Sequence, residues 1–78
     1  MYYVYILQDE KEKLYVGYSS DLKQRIKDHT YKEVSTTKVY KKPQLIWYCA
    51  FQNKKIALGF ERYLKAGSGH AFARKHLI

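Results

Sequence analysis

The chain has 78 residues and one cysteine, which bounds it to one domain near the lower size limit for unaided folding and excludes an internal disulfide or a set of Cys/His pairs around a structural metal. Nine tyrosines, three phenylalanines and one tryptophan, against four glycines and one proline, exclude a disordered chain and point to a core of large side chains. The net charge of +8 is unevenly placed: residues 1–33 carry six acids and six bases, whereas residues 34–78 carry nine bases and one acid, Glu61.

A half-chain this basic is the electrostatic footprint of a polyanion binder, although lysines outnumber arginines twelve to three and lysine serves solubility as well as phosphate contact. No stretch approaches the apolar length of a membrane span. The start "MYYVYILQDE" has neither the basic opening nor the small-residue cleavage site of a signal peptide. No membrane partner and a reduced, cytoplasmic setting are therefore expected.

In chain order, "YYVYILQ" (2–8) is β-branched and aromatic throughout and reads as a strand. "DEKEK" (9–13) is a charged turn, and "LYVGYS" (14–19) is a second strand close enough to form an antiparallel hairpin with the first. Ser20 or Asp21 caps a helix running to about Thr30, with Leu22 and Ile26 as its apolar stripe. Residues 31–43, "YKEVSTTKVYKKP", have no period and read as a basic, Ser/Thr-rich loop. "QLIWYCAFQ" (44–52) is a third strand, apolar on both faces, so a central or doubly covered position is expected for it. Asn53 caps a second helix over residues 54–66, which Gly67 is expected to stop; Gly59 inside it signals close packing or local weakness. Gly69 precedes a last helix, "HAFARKHLI". The order β-β-α-β-α-α predicts an α+β domain over residues 1–78, three strands with helices over the sheet.

Polar residues fall on the apolar stripes of both longer helices. With Leu22 at zero, Ile26 lies at about +40°, His29 at about −20° and Arg25 at about −60°. In the second helix Ala57, Leu64 and Phe60 define the stripe, and Glu61 lies inside it at about +40°. A carboxylate at the edge of a core is costly unless cations, hydrogen bonds or a bound metal compensate it. An Arg–Glu bridge pinning two helices, an i,i+4 pair of Glu61 with Lys65, or an arginine laying its stem over the core would each account for one of these residues. Arg25, His29 and Glu61 together, beside tyrosines on the adjacent strands, have the composition of an active site.

The pattern then becomes specific. "YVY" at 3–5, followed after nine residues by "YVG" at 15–17, resembles the paired signature of the GIY-YIG nuclease domain. A capped turn and a helix with arginine and histidine four apart, "KQRIKDH", follow in order, and "ALGFERYLK" resembles the metal-binding helix of that family, with Glu61 as its glutamate. The resemblance covers essentially the whole chain and is strongest to the small stand-alone bacterial members, which lack an appended DNA-binding domain. It implies a three-stranded antiparallel sheet flanked by helices. It implies that Tyr5 and Tyr15 line a cleft, with Tyr15 the better candidate for general base or water-orienting group. Arg25 would hold the scissile phosphate, His29 would stand near the nucleophile, and Glu61 would be the only protein ligand of a divalent metal, Mg²⁺ or Mn²⁺. The chain departs from the signature at Tyr3, where the name has glycine, at Val4 and Val16, where it has isoleucine, and at Tyr18, where some relatives have lysine; residues 68–78 contain no asparagine.

The implied reaction is metal-dependent hydrolysis of a DNA phosphodiester, with RNA left open. A phenol whose pKa is about 10 is a poor base at neutral pH, so Tyr15 needs a lowered pKa or His29 accepts the proton instead; the sequence leaves both open. Lys38, Lys41 and Lys42 in the loop, with Lys54 and Lys55, are expected to grip backbone phosphates. No helix carries base-reading side chains, so low sequence specificity is expected, in the setting of DNA repair or recombination. The competing classes are a nucleic-acid-binding module with a weak or inactive site, and a protein-interaction domain with an aromatic surface.

Overall fold

The computed structural model describes residues 1–30 and 42–78, with residues 28–30 as backbone only. The stretch expected to form a basic loop, with Lys38 and Lys41, lies almost wholly outside these. Strands β1 (Tyr2–Gln8) and β2 (Leu14–Ser19) are followed by α1 (Leu22–Thr30), β3 (Gln44–Phe51), α2 (Lys54–Lys65) and α3 (Gly67–His76). The three strands form one antiparallel sheet in the order β2-β1-β3, so the expected α+β architecture is the one observed.

The β1–β2 turn is organised by a single carboxylate. Asp9, 8% exposed, accepts hydrogen bonds from the backbone N–H of Lys11 (2.9 Å) and Lys13 (2.8 Å), and its carbonyl accepts from Glu12 (3.0 Å). Glu12 sits at φ 64°, left-handed backbone held by that turn. Arg74 of α3 donates to the Glu12 carbonyl at 3.3 Å and ties the C-terminal helix to the hairpin.

β1 is the strand covered on both sides: Val4, Tyr5, Ile6 and Leu7 are at most 1% exposed. Its even residues join Val16 of β2, Ala57 and Leu64 of α2 and Ala73 of α3 in the core. The expectation for the third strand is corrected here. β3 is an edge strand; Trp47, Cys49 and Phe51 turn toward the core, whereas Leu45, Ile46 and Tyr48 are 36–54% exposed. A continuous apolar run is usual for a doubly covered strand, but here the hairpin fills one edge of β1 with β2 and β3 pairs with the other, so among the described residues β3 has no second strand neighbour.

Local capping sets the helices. Asp21 Oδ1 accepts from the N–H of Gln24 (3.1 Å) and starts α1; Asn53 Oδ1 accepts from Ile56 (3.1 Å) and starts α2. The expected stop at Gly67 is also corrected: α2 ends on Ala66, in extended backbone at φ −76°, and Gly67 opens α3. Gly69 has the decisive role, because a Cβ there would overlap the backbone carbonyl of Tyr63, so α2 and α3 meet through bare backbone. Gly59 faces open space and is a local weakness in α2 rather than a packing requirement.

Candidate active site

The register of the hairpin places Tyr5 opposite Gly17. With no side chain at residue 17, the Tyr5 ring lies across β2 and carries its hydroxyl toward that edge of the sheet; a Cβ at Gly17 would overlap the Cζ and hydroxyl of Tyr5. Tyr15, two residues before Gly17 on the same face of β2, brings its ring to 6.5 Å from that of Tyr5.

Two charged side chains act on the same hydroxyl, one by contact and one by its charge alone. Arg25 of α1 is exposed yet hydrogen-bonds through its side chain to the Tyr5 phenol, so the arc it shares with Leu22 and Ile26 faces the rim of the sheet rather than the closed core. Glu61, on the turn of α2 between the buried Ala57 and Leu64, acts on the phenol through its negative charge. Burial pushes the Tyr5 pKa well above the ordinary phenol value, the neighbouring Tyr15 and Glu61 add to the rise, and Arg25 opposes it. Tyr5 is consequently a neutral phenol that accepts a hydrogen bond from Arg25.

The Glu61 side chain is 18% exposed and pairs with Lys65, one turn on, at 3.2 Å. That i,i+4 pair was among the sequence expectations. Among the described residues no three His, Cys, Asp or Glu side chains cluster as a metal site, and Glu61 is the carboxylate placed to hold an ion beside Tyr5. The donor set fits Mg²⁺ or Mn²⁺, hard cations that take few protein oxygens and retain waters. The ammonium of Lys65 already occupies a cation position on that carboxylate.

The remaining expected residues are not all brought together. His29 lies on α1 four residues beyond Arg25, with its side chain outside the description. Lys42 pairs with Glu10 at 3.3 Å near the Gln8 end of β1, whereas Lys54 and Lys55 follow Phe51, which pairs with Tyr2 at the other end. The two groups stand at opposite ends of the sheet, about 20 Å apart by strand rise. Lys54 and Lys55 are exposed in the first turn of α2, which holds no acid; cations there oppose the helix dipole and are better suited to an anionic partner than to stability.

His70 escaped sequence reasoning. With Tyr15, Lys65, Leu14 and Val16 it lines a shallow cavity of about 230 Å³ at the β2 edge, and its Nε2 accepts from Arg74 Nε at 3.2 Å. Nothing in its sequence neighbourhood marked it; only the fold of α3 against β2 does. No helix among the described residues is long and apolar enough to cross a membrane.

Comparison with known proteins points to one family. The GIY-YIG catalytic domain matches residues 1–74. The chain is 33% identical over 64 residues to a UPF0213 protein of Streptococcus pyogenes, covering 81% of this chain and 70% of that one. It is 32% identical over 66 residues to a UPF0213 protein of Haloquadratum walsbyi, covering 83% and 74%. A UPF0213 protein of Vibrio campbellii is 30% identical over 63 residues, 80% of this chain, which spans only 61% of that longer relative. The solution NMR structure of the UPF0213 protein BH0048 from Bacillus halodurans superposes with a TM-score of 0.60 at 28% identity, over 96% of this chain and 84% of that one.

Proposed function

The chain belongs to the GIY-YIG family, a nuclease family that generally uses a divalent metal, and from that premise we propose that it hydrolyses DNA phosphodiester bonds as a single catalytic domain of low sequence specificity, in the cytoplasm and in the service of DNA repair or recombination. The observation that carries the reading is the convergence on the Tyr5 hydroxyl of an arginine hydrogen bond, a second phenol and the charge of Glu61.

A phosphodiester repels nucleophiles through its own negative charge, so hydrolysis needs that charge neutralised, water placed and the departing oxygen stabilised. Arg25, planar and always charged, is suited to fork onto the non-bridging oxygens as charge grows there. Tyr5, held neutral by burial, donates its O–H to a phosphate oxygen or to the attacking water and is not the base. The proton of that water goes to Tyr15 or His29. Glu61 would hold Mg²⁺ or Mn²⁺, whose chemistry is Lewis-acid stabilisation of the phosphate and leaving group. Lys54 and Lys55 contribute phosphate contacts without reading sequence.

The second reading, a binding module of weak or no activity, is favoured by one observation: Lys65 competes for the carboxylate on which the metal depends. Incubating the protein with supercoiled plasmid and Mg²⁺ or Mn²⁺ separates the two. Nicking that Glu61→Ala and Arg25→Ala each reduce by at least about 100-fold, with unchanged circular dichroism, is the expected result. Salt-sensitive binding without nicking by the parent protein would replace the nuclease with the binding module.

A further inference from the structure

The outward face of β3 carries aromatic surface that the core does not explain. Tyr48 is 54% exposed and Ile46, beside it, 37%. Tyr48 turns to the same face of the sheet as Tyr3 and Tyr5; its ring lies 6.5 Å from that of Tyr3 at an interplanar angle of 56°. Between these two rings and the start of α1 lies a cavity of about 360 Å³, lined by Tyr3, Tyr48, Ser20, Asp21, Leu22 and Lys23. Tyr3 is two residues from Tyr5 on one strand face, about 7 Å away, the scale of one nucleotide of an extended strand.

We infer that this cavity is a base-binding site, in which a nucleobase lifted out of the stack lies against Tyr48 and Tyr3 beside the nucleotide whose phosphate meets Arg25. The inference rests on the nucleic-acid reading of the neighbouring phenols and names the substrate class within it: strands with an unpaired base at the point of cutting, such as flaps, gaps or single strands. The chemistry of the lining suits that occupant. Aromatic faces stack any base without regard to sequence. Asp21 Oδ1 caps α1 but keeps acceptor capacity for a base amino group, and Lys23 supplies a cation beside that carboxylate for the flanking phosphate. The chain as a whole carries a net charge of +8, which favours a polyanion such as nucleic acid over a cationic or neutral ligand. Bases in an intact duplex are occupied by their stacking neighbours and cannot enter.

The test uses a single-stranded oligonucleotide carrying 2-aminopurine and its blunt duplex, both with chelator so that binding is read without cleavage. Quenching of 2-aminopurine on the single strand is expected. Tyr48→Ala should abolish the quench and lower the ratio of single-strand to duplex affinity about ten-fold, while Tyr48→Phe retains both; Tyr3→Leu provides a second, independent variant. An unquenched probe, or a loss equal on single strand and duplex, overturns the site. Cleavage of a flap oligonucleotide by the parent protein with Mg²⁺ or Mn²⁺ is measured in parallel: cleavage without quenching removes the base site and leaves the nuclease, and quenching without cleavage removes the nuclease and leaves the site. Absence of binding to either nucleic acid, with the aromatic face engaged by a protein instead, overturns both.

Discussion

β1 alternates between two chemistries. On one side, Val4 and Ile6 meet Val16, Ala57, Leu64 and Ala73, aliphatic groups that need nothing but close packing. On the other, Tyr3 and Tyr5 meet Tyr15, Tyr48 and the bare backbone of Gly17, rings whose hydroxyls each require a partner. Tyr5 and Ile6 are both at most 1% exposed, so burial alone does not distinguish the faces. What distinguishes them is that one buries groups indifferent to charge, and the other buries a phenol within reach of Arg25 and Glu61. Stability and chemistry are thereby assigned to opposite sides of one strand, and substitutions should separate them.

The largest effect is expected on the aliphatic side. Leu64 is fully buried on α2. Leu64→Ala should cost about 2–5 kcal/mol, lost transfer energy plus the cavity left behind, read as a fall in the urea midpoint. In a chain of this size that is a large part of the total stability, and nicking should fall only in proportion to the unfolded fraction. An activity loss greater than the folded fraction explains would tie this face to the chemistry and erase the distinction.

Gly17→Ala probes the opposite side. The added methyl overlaps the Tyr5 hydroxyl, the far end of a side chain, so the ring is displaced while the backbone ladder stays intact. Stability should fall by about 1–2 kcal/mol, whereas nicking should fall about 100-fold because an ångström of misplacement at the reacting centre is that costly. Retained nicking with the expected thermal shift would remove Tyr5 from the site.

The two faces were not equally legible in the sequence. Strand and helix bounds follow from β-branched and aromatic runs and from Asp21 and Asn53 as caps, which are local signals. The meeting of Tyr5, Tyr15, Arg25 and Glu61 was anticipated from two sources: Arg25 and Glu61 fall on apolar helical arcs, and the family resemblance implied Tyr5 and Tyr15. The position of β3 could not. An apolar run reads alike at the centre and the edge of a sheet, and strand order is decided by which edges of β1 remain open after the hairpin closes. "GSG" at 67–69 reads as a helix break, yet it begins α3, because the close approach of Gly69 to the Tyr63 carbonyl is a tertiary requirement that no local rule contains. His70 was invisible for the same reason: it shares a cavity with Tyr15 only because α3 folds back on α2.

The smallest and most discriminating effect concerns proton balance at Tyr5. Tyr5→Phe keeps the ring over Gly17 and deletes only the hydroxyl, so at neutral pH stability should change by no more than about 1 kcal/mol. Above the ordinary phenol pKa of 10.0 the two proteins diverge. The unfolded chain releases the phenol proton there, whereas the folded protein, its phenol raised first by burial and then by Tyr15 and Glu61, retains it. The unfolded state then binds fewer protons than the native state, so stability must fall as pH rises from about 10 toward the folded value. Below about 10 both states are protonated and the stabilisation is fully present. Denaturant midpoints measured from pH 8 to 11.5 should therefore decline more steeply for the parent protein than for Tyr5→Phe, with the curves parallel below pH 9. Parallel curves throughout would mean that the Tyr5 phenol titrates as it does in water, which would return it to the list of candidate bases and undo the donor role assigned to it.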